Sequence, residues 1–259
     1  MGRKVTEDTE ILEQTKLTGD VSSMWVQTSE IAGLSRAGQF VSVYCNDRTR
    51  LLPRPISICE TDRAGGRIRL VYRNVGKGTA EFASMTRGGR LQMMGPLGNG
   101  FEIQDGSALL VGGGIGIPPL VELGRALRES GRQVTTVCGY RDREVFLTEE
   151  LTRNGSFCIA TEDGSLGVRG NVIDAIRQEK LAGDVIYACG PLPMLSALKS
   201  YALERKIPCY ISMEERMACG IGACLGCVCK SQDIDSHSHV CNKRVCADGP
   251  VFLSTEVEL

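Results

Sequence analysis

The chain has 259 residues, 30 Lys and Arg against 31 Asp and Glu, and a formal net charge of -1. That length holds one large domain or two smaller ones, and the near-neutral balance gives no general pull toward nucleic acid or an anionic membrane. No apolar run approaches the roughly 20 residues of a spanning helix, and the opening MGRKVTEDTEILEQT lacks a signal peptide's apolar core, so a cytoplasmic protein is expected.

In chain order, the N-terminal stretch reads as short β-strands. Residues 39–45 (QFVSVYC) alternate, and so do residues 67–73 (RIRLVYR), which place Ile68, Leu70 and Tyr72 on one face. Gly and Pro clusters punctuate it at 62–66, 88–89 and 95–100, as expected for an antiparallel barrel ending near Phe101. The pattern then changes. Ala108 to Val111 is a short apolar strand, followed by GGGIGIPP and a helix whose Leu120, Leu123 and Leu127 share one stripe. Pro118 or Pro119 suits its first turn and Gly131 its stop. Strands are expected at 134–138, 157–161, 185–189 and 207–212, with a helix over 192–204. Alternating strands and helices mean a parallel sheet. The predicted organisation is a barrel over 1–102, an α/β domain over 103–206 and a small cysteine-rich subdomain over 207–259.

Twelve cysteines beside two histidines are the unusual part of the composition. Without an export signal they point to metal rather than to a disulfide framework. Cys45, Cys59, Cys138, Cys158, Cys189 and Cys209 are dispersed, mostly in apolar runs, and read as small core hydrophobes. The other six lie in the last 41 residues. Cys219-x4-Cys224-x2-Cys227 with a further Cys downstream is the plant-type spacing for a [2Fe-2S] cluster. The glycines among them let the backbone curl so that N–H groups meet the cluster sulfurs. A four-cysteine zinc knot is the plainer alternative, but it favours paired C-x2-C hooks, and only one hook occurs among these three ligands. For the fourth ligand Cys241, Cys246 and Cys229 are all available, although Cys229 stands only two residues from Cys227. His237 and His239 read as solvated loop residues.

The glycine run Gly112, Gly113, Gly114 and Gly116 lies between a strand and a helix, the context of a dinucleotide phosphate loop. The strict G-x-G-x-x-G is not met, because Ile117 holds the third position. Cys189, Gly190 and Pro191 follow another strand, where an open α/β sheet places its ligand crevice. Arg54-Pro55-Ile56-Ser57 could grip a diphosphate with a fixed Arg and a Ser, and Gly78-Thr79, opening a helix at Ala80, adds backbone donors. Thr161-Glu162-Asp163 ends a sheet strand with acidic groups that would repel a 2′-phosphate, so NAD is expected over NADP despite nearby Arg141 and Arg143.

This order of motifs resembles the ferredoxin reductase-like flavoproteins. There RPxS and the later Gly-Thr turn bind FAD on a barrel, GGGxGxxP binds the pyridine nucleotide, and CGPxPM lies near the nicotinamide. With the cysteine tail, nearly the whole chain resembles the electron-transfer subunits of class B dihydroorotate dehydrogenases, in the phrases RPISI, MACGIGAC and VCADGPVF. The resemblance implies that Cys246 is the fourth ligand and that Val71, Tyr72 and Arg73 join the flavin contacts. It departs in one respect, an extra Cys241 within the 18 residues between Cys227 and Cys246. It also implies a partner, the FMN-containing catalytic subunit that oxidises dihydroorotate in pyrimidine biosynthesis, in a heterotetramer with two subunits of each type. A nicotinamide exchanges electrons in pairs and the cluster singly, so the flavin must stand between them. The alternatives are the flavin subunit of an NADH–ferredoxin transhydrogenase or a sulfhydrogenase and, more remotely, a zinc-tailed scaffold without catalysis.

Overall fold

A computed structural model describes residues 3–232, 234 and 239–259. The expected barrel is built from β1 (Val5–Lys16), β2 (Val21–Gln27), β3 (Phe40–Val43), β4 (Arg54–Asp62), β5 (Arg67–Arg73) and β6 (Arg90–Leu97). These close antiparallel in the order β1-β2-β5-β4-β3-β6. The alternation of β5 drives this. Ile68, Leu70 and Tyr72 are all but fully buried in the barrel with Val26, Val41 and Met93, while the arginines between them turn outward. Two short helices, α1 (Ile31–Leu34) and α2 (Lys77–Ser84), fill barrel connections. The second differs from expectation: it opens at Lys77 rather than Ala80, because the Thr79 hydroxyl accepts from the backbone N–H of Val75 and Gly76 and so closes the first turn three residues early.

The second half forms β7 (Ala108–Gly113), α3 (Pro119–Glu129), β8 (Val134–Tyr140), α4 (Thr148–Thr152), β9 (Ser156–Thr161), β10 (Val168–Arg169), α5 (Val172–Gln178), β11 (Val185–Cys189), α6 (Leu192–Arg205) and β12 (Cys209–Ser212). Leu120, Leu123 and Leu127 bury as one stripe of α3. The hairpin strands β13 (Val228–Lys230) and β14 (Asn242–Arg244) pair with each other, and β15 (Val251–Leu253) returns to the main sheet. That sheet runs β10-β9-β8-β7-β11-β12-β15, parallel except for β15, which pairs antiparallel with β12. The sheet thus continues past residue 206 into the cysteine-rich segment. The chain steps outward from β7 in one direction and then from β11 in the other, so the order reverses between β7 and β11. At such a reversal the two flanking loops part and leave a crevice.

Two polar clusters join the barrel to this sheet. Glu122 on α3 is buried, accepting from the Thr61 N–H at 3.1 Å and from Arg125 Nη2 at 2.6 Å, while Arg125 also donates to the Thr61 carbonyl. Arg69 of β5 donates to Glu60 in the barrel and to Glu150 in α4, each at 2.6 Å. Glu122→Ala strands a half-buried guanidinium and a buried N–H, and should lower unfolding stability by about 3 kcal/mol in chemical denaturation. A loss within experimental error would show that the clamp is ornamental.

Candidate redox site

Each of the four proposed cluster cysteines faces a backbone donor. The Gly222 N–H lies 3.1 Å from Cys246 Sγ, the Gly226 N–H 3.4 Å from Cys224 Sγ and the Cys246 N–H 3.4 Å from Cys227 Sγ. Burial works to raise the Cys219 thiol, but the N–H groups of Ile221, Cys224 and Ala223 and the Cys224 side chain overcome it and hold Cys219 down at about 6. Burial, and then the neighbouring Cys227, push Cys246 up to about 12. Among the described residues no three His, Cys, Asp or Glu side chains converge on a single point. Cys219 titrates under the influence of Cys224, and Cys246 under that of both Cys227 and Cys219. Sulfurs met by backbone N–H groups suit an iron–sulfur unit, whose negative charge such donors offset.

The tight curl has a steric cause. A Cβ on Gly222 would sit 2.7 Å from Ala247 Cβ, and one on Gly220 2.7 Å from Ser42 Oγ in the barrel. Both glycines hold positive φ, at +87° and +68°. Of the remaining tail cysteines, Cys229 is buried and its thiol donates to the Lys243 carbonyl, while Cys241 is exposed. His239 is exposed and His237 lies outside the described residues. A staple that motif reading missed spans the fourth ligand: Arg244 makes a two-pronged ion pair with Asp248 at 2.9 Å on each arm, and also donates to the Gly222 carbonyl. Its signal was an Arg and an Asp four apart around Cys246, too common to stand out.

On the barrel, Arg54 lies flat across the first turn of α2. A Cβ on Gly78 would fall 2.4 Å from its Nε, so a larger residue there would displace the guanidinium. The first-turn N–H groups and this cation together suit an anion such as a diphosphate. Ser57 is half-exposed and Pro55 exposed on the same strand, whereas Ile56 and Tyr72 turn into the barrel core and Val71 into the core beneath α3. Those three can offer a flavin only backbone. Thr79 is held locally, donating to the Gly76 carbonyl.

A cleft of about 920 Å³ opens where β7 and β11 part, facing the barrel. Gly113, Gly114 and Pro191 line it, as does Arg73 from the end of β5. Gly112, Gly116, Cys189 and Gly190 stand behind this wall and permit it. A Cβ on Gly116 would meet the Cys189 carbonyl at 2.4 Å, and one on Gly112 would strike Ile117 at 2.9 Å. Cys189 is fully buried, and burial raises its thiol well above the usual range. Glu162 faces the cleft, while Asp163 is held by the Ser165 N–H in its own turn. Sequence reasoning missed the Thr18–Asp20 turn, Glu144 and the Asn171–Asp174 start of α5, which complete the walls. Only the capping pair Asn171 and Asp174 had a local signal.

A flavin cradle on a barrel, a crevice at a sheet reversal and a four-cysteine lobe define a ferredoxin reductase-like flavoprotein with an iron–sulfur domain. Residues 214–258 match the family model for the iron-sulfur cluster binding domain of dihydroorotate dehydrogenase B. The chain is 40% identical to the dihydroorotate dehydrogenase B (NAD(+)) electron transfer subunit of Fusobacterium nucleatum, covering 98% of each chain. It is 45% identical to the protein so named from Geobacillus thermodenitrificans, over 88% of this chain and 89% of that one. A solved NADH-dependent reduced ferredoxin-NADP oxidoreductase, described for flavin-based electron bifurcation, superposes at TM-score 0.87 with 30% identity, covering 96% of this chain and 89% of its own. The chain belongs to the family of dihydroorotate dehydrogenase B electron transfer subunits. FAD and an iron–sulfur cluster are the cofactors of that fold and domain.

Replacing Cys246 by Ser should abolish bound iron and acid-labile sulfide while flavin is retained, and Cys241→Ser should keep all three. Metal and sulfide analysis of the two purified variants checks this. Loss of iron from the Cys241 variant would move the fourth ligand.

Proposed function

We propose that this chain exchanges electrons between NAD and a partner flavoprotein that oxidises dihydroorotate, in cytoplasmic pyrimidine biosynthesis. FAD would rest on Arg54, Pro55, Ile56 and Ser57, on Val71, Tyr72 and Arg73, and on Gly78 and Thr79. NAD would enter the cleft at Gly112, Gly113, Gly114 and Gly116 and at Cys189, Gly190 and Pro191. A [2Fe-2S] cluster would be held by Cys219, Cys224, Cys227 and Cys246. When bound, the flavin supplies the exchange between paired and single electrons that a nicotinamide and the cluster require. The functional segments are 1–102 for FAD, 103–206 for NAD and 207–259 for the cluster, the last two sharing one sheet.

One observation carries this reading: a single barrel supports all three sites. Arg54 of β4 shapes the cradle, Arg73 of β5 reaches the cleft and Ser42 of β3 supports the cysteine loop at Gly220. Ile221, Leu225 and Val228 beside the cysteines are exposed, an apolar rim suited to a protein partner. The partner fitting the relatives' name is an FMN-containing dihydroorotate dehydrogenase catalytic subunit, in a heterotetramer with two subunits of each type. Among the described residues no helix is long and apolar enough to cross a membrane.

Anaerobically purified protein should contain flavin with iron and sulfide in equal amounts, and NADH should bleach its spectrum. Zinc without sulfide would overturn the cluster. Reduction should show higher kcat/KM with NADH than with NADPH, and the reverse would overturn the dinucleotide choice. Co-expression with a dihydroorotate-oxidising flavoprotein should give a complex that reduces NAD with dihydroorotate. Transfer to ferredoxin alone would favour the transhydrogenase reading, which the solved relative's fold also accommodates.

A further inference from the structure

The first turn of α3 offers an anion few free donors. Pro118 and Pro119 at the start of α3 have no N–H, and the Ile117 N–H is already given to the Gly114 carbonyl. The next two, on Leu120 and Val121, go to the carbonyls of Ile117 and Pro118. A pyrophosphate approaching this loop therefore needs a side-chain cation more than an ordinary phosphate loop does.

Arg73 supplies one. Its Nη atoms stand 3.9 and 4.0 Å from the point where a Cβ on Gly114 would lie, across the mouth of the cleft. The other outward arginines of β5 are engaged, Arg67 with Asp62 and Arg69 with Glu60 and Glu150. Arg73 has only a loose hold. Its Nε is 3.0 Å from Asp20 Oδ2, yet that buried nitrogen makes no aligned hydrogen bond, and the pair is 36% and 55% exposed. An ion pair so exposed holds weakly and exchanges easily for a doubly charged anion. Glu214, just past β12, is a second carboxylate within the electrostatic reach of Arg73.

We propose that Arg73 exchanges Asp20 for the pyrophosphate of the entering dinucleotide, with Asp20 holding the guanidinium across the empty loop until then. This rests on the reading of the cleft as the NAD site, and it assigns the Arg73 side chain to the dinucleotide while its backbone, with those of Val71 and Tyr72, stays with the flavin. Asp20 is thereby a competitor of the ligand, which sets the sign of its effect.

The test is calorimetric titration of the oxidised holoprotein with NAD and with ADP-ribose, which keeps the pyrophosphate and lacks the nicotinamide. Arg73→Gln should weaken both about tenfold, with affinity read per flavin bound. Asp20→Asn should tighten both about threefold, and the double variant should match Arg73→Gln alone. Unchanged affinity in Arg73→Gln, loss of its flavin with normal affinity in the loaded fraction, or no gain in Asp20→Asn would each overturn the exchange. If Arg73→Gln does not fold, Asp20→Asn on its exposed turn decides by sign alone. Wild-type protein that binds neither probe would overturn the NAD cleft itself, whereas a binding wild type with unmoved variants removes only the role of Arg73.

Discussion

A carboxylate held out of water joins the two halves of this protein. Burying Glu122 costs several kcal/mol of hydration, which only a well-matched set of donors can offset. The matching donors come from both sides of the junction, the Thr61 N–H from the barrel and Arg125 from the same turn of α3. Docking β4 elsewhere on α3 would take away the Thr61 N–H from the carboxylate and the Thr61 carbonyl from Arg125, which favours this register. Arg69, bridging Glu60 and Glu150, repeats this a few residues away. The cleft is a consequence of that docking, since one wall belongs to the sheet and the other to the barrel.

The cysteine lobe is fastened by a different kind of contact. It hardly folds on hydrophobic burial alone, because Cys219 and Cys224 lie toward the surface. Its path is set by backbone pairing at both ends. The Asn99 N–H donates to the Gly249 carbonyl at 2.6 Å, and β15 completes the main sheet beside β12. The Asn99 side chain adds donations to the carbonyls of Ala247 and Asp248. Cys227 and Cys246 thus sit in the core shared with the sheet, while the loop bearing the other two rests on the barrel. The result is a cluster site rigidly referred to the barrel and the sheet, which electron transfer over fixed distances requires.

Where a pattern has a local physical cause, it was readable from the chain. The period-two alternation of β5, the leucine stripe of α3 and the C-x4-C-x2-C spacing each express one stretch of backbone geometry. The turn at Gly78 was also readable, but its neighbour was not: Arg54, 24 residues earlier, lies over it. The opening of α2 was misplaced because a Thr hydroxyl can close a turn from inside the helix as well as start one. The extent of the third segment followed composition, which cannot show that β12 and β15 complete a sheet begun a hundred residues before.

The sequence by itself determined the inventory: a barrel, a parallel sheet, a glycine run between strand and helix and three cysteines at iron–sulfur spacing. It did so because those features depend on neighbours along the chain, where periodicity and steric allowance act directly. Only the tertiary structure decided which residues face one another across the cleft, that Ile56 turns away from the surface, and that Arg73 looks toward the glycine loop. Those outcomes follow from the closure of the barrel and from the docking at Glu122. They bring residues 20, 73, 114 and 214 to one place, and no local pattern records a meeting set by such distant contacts.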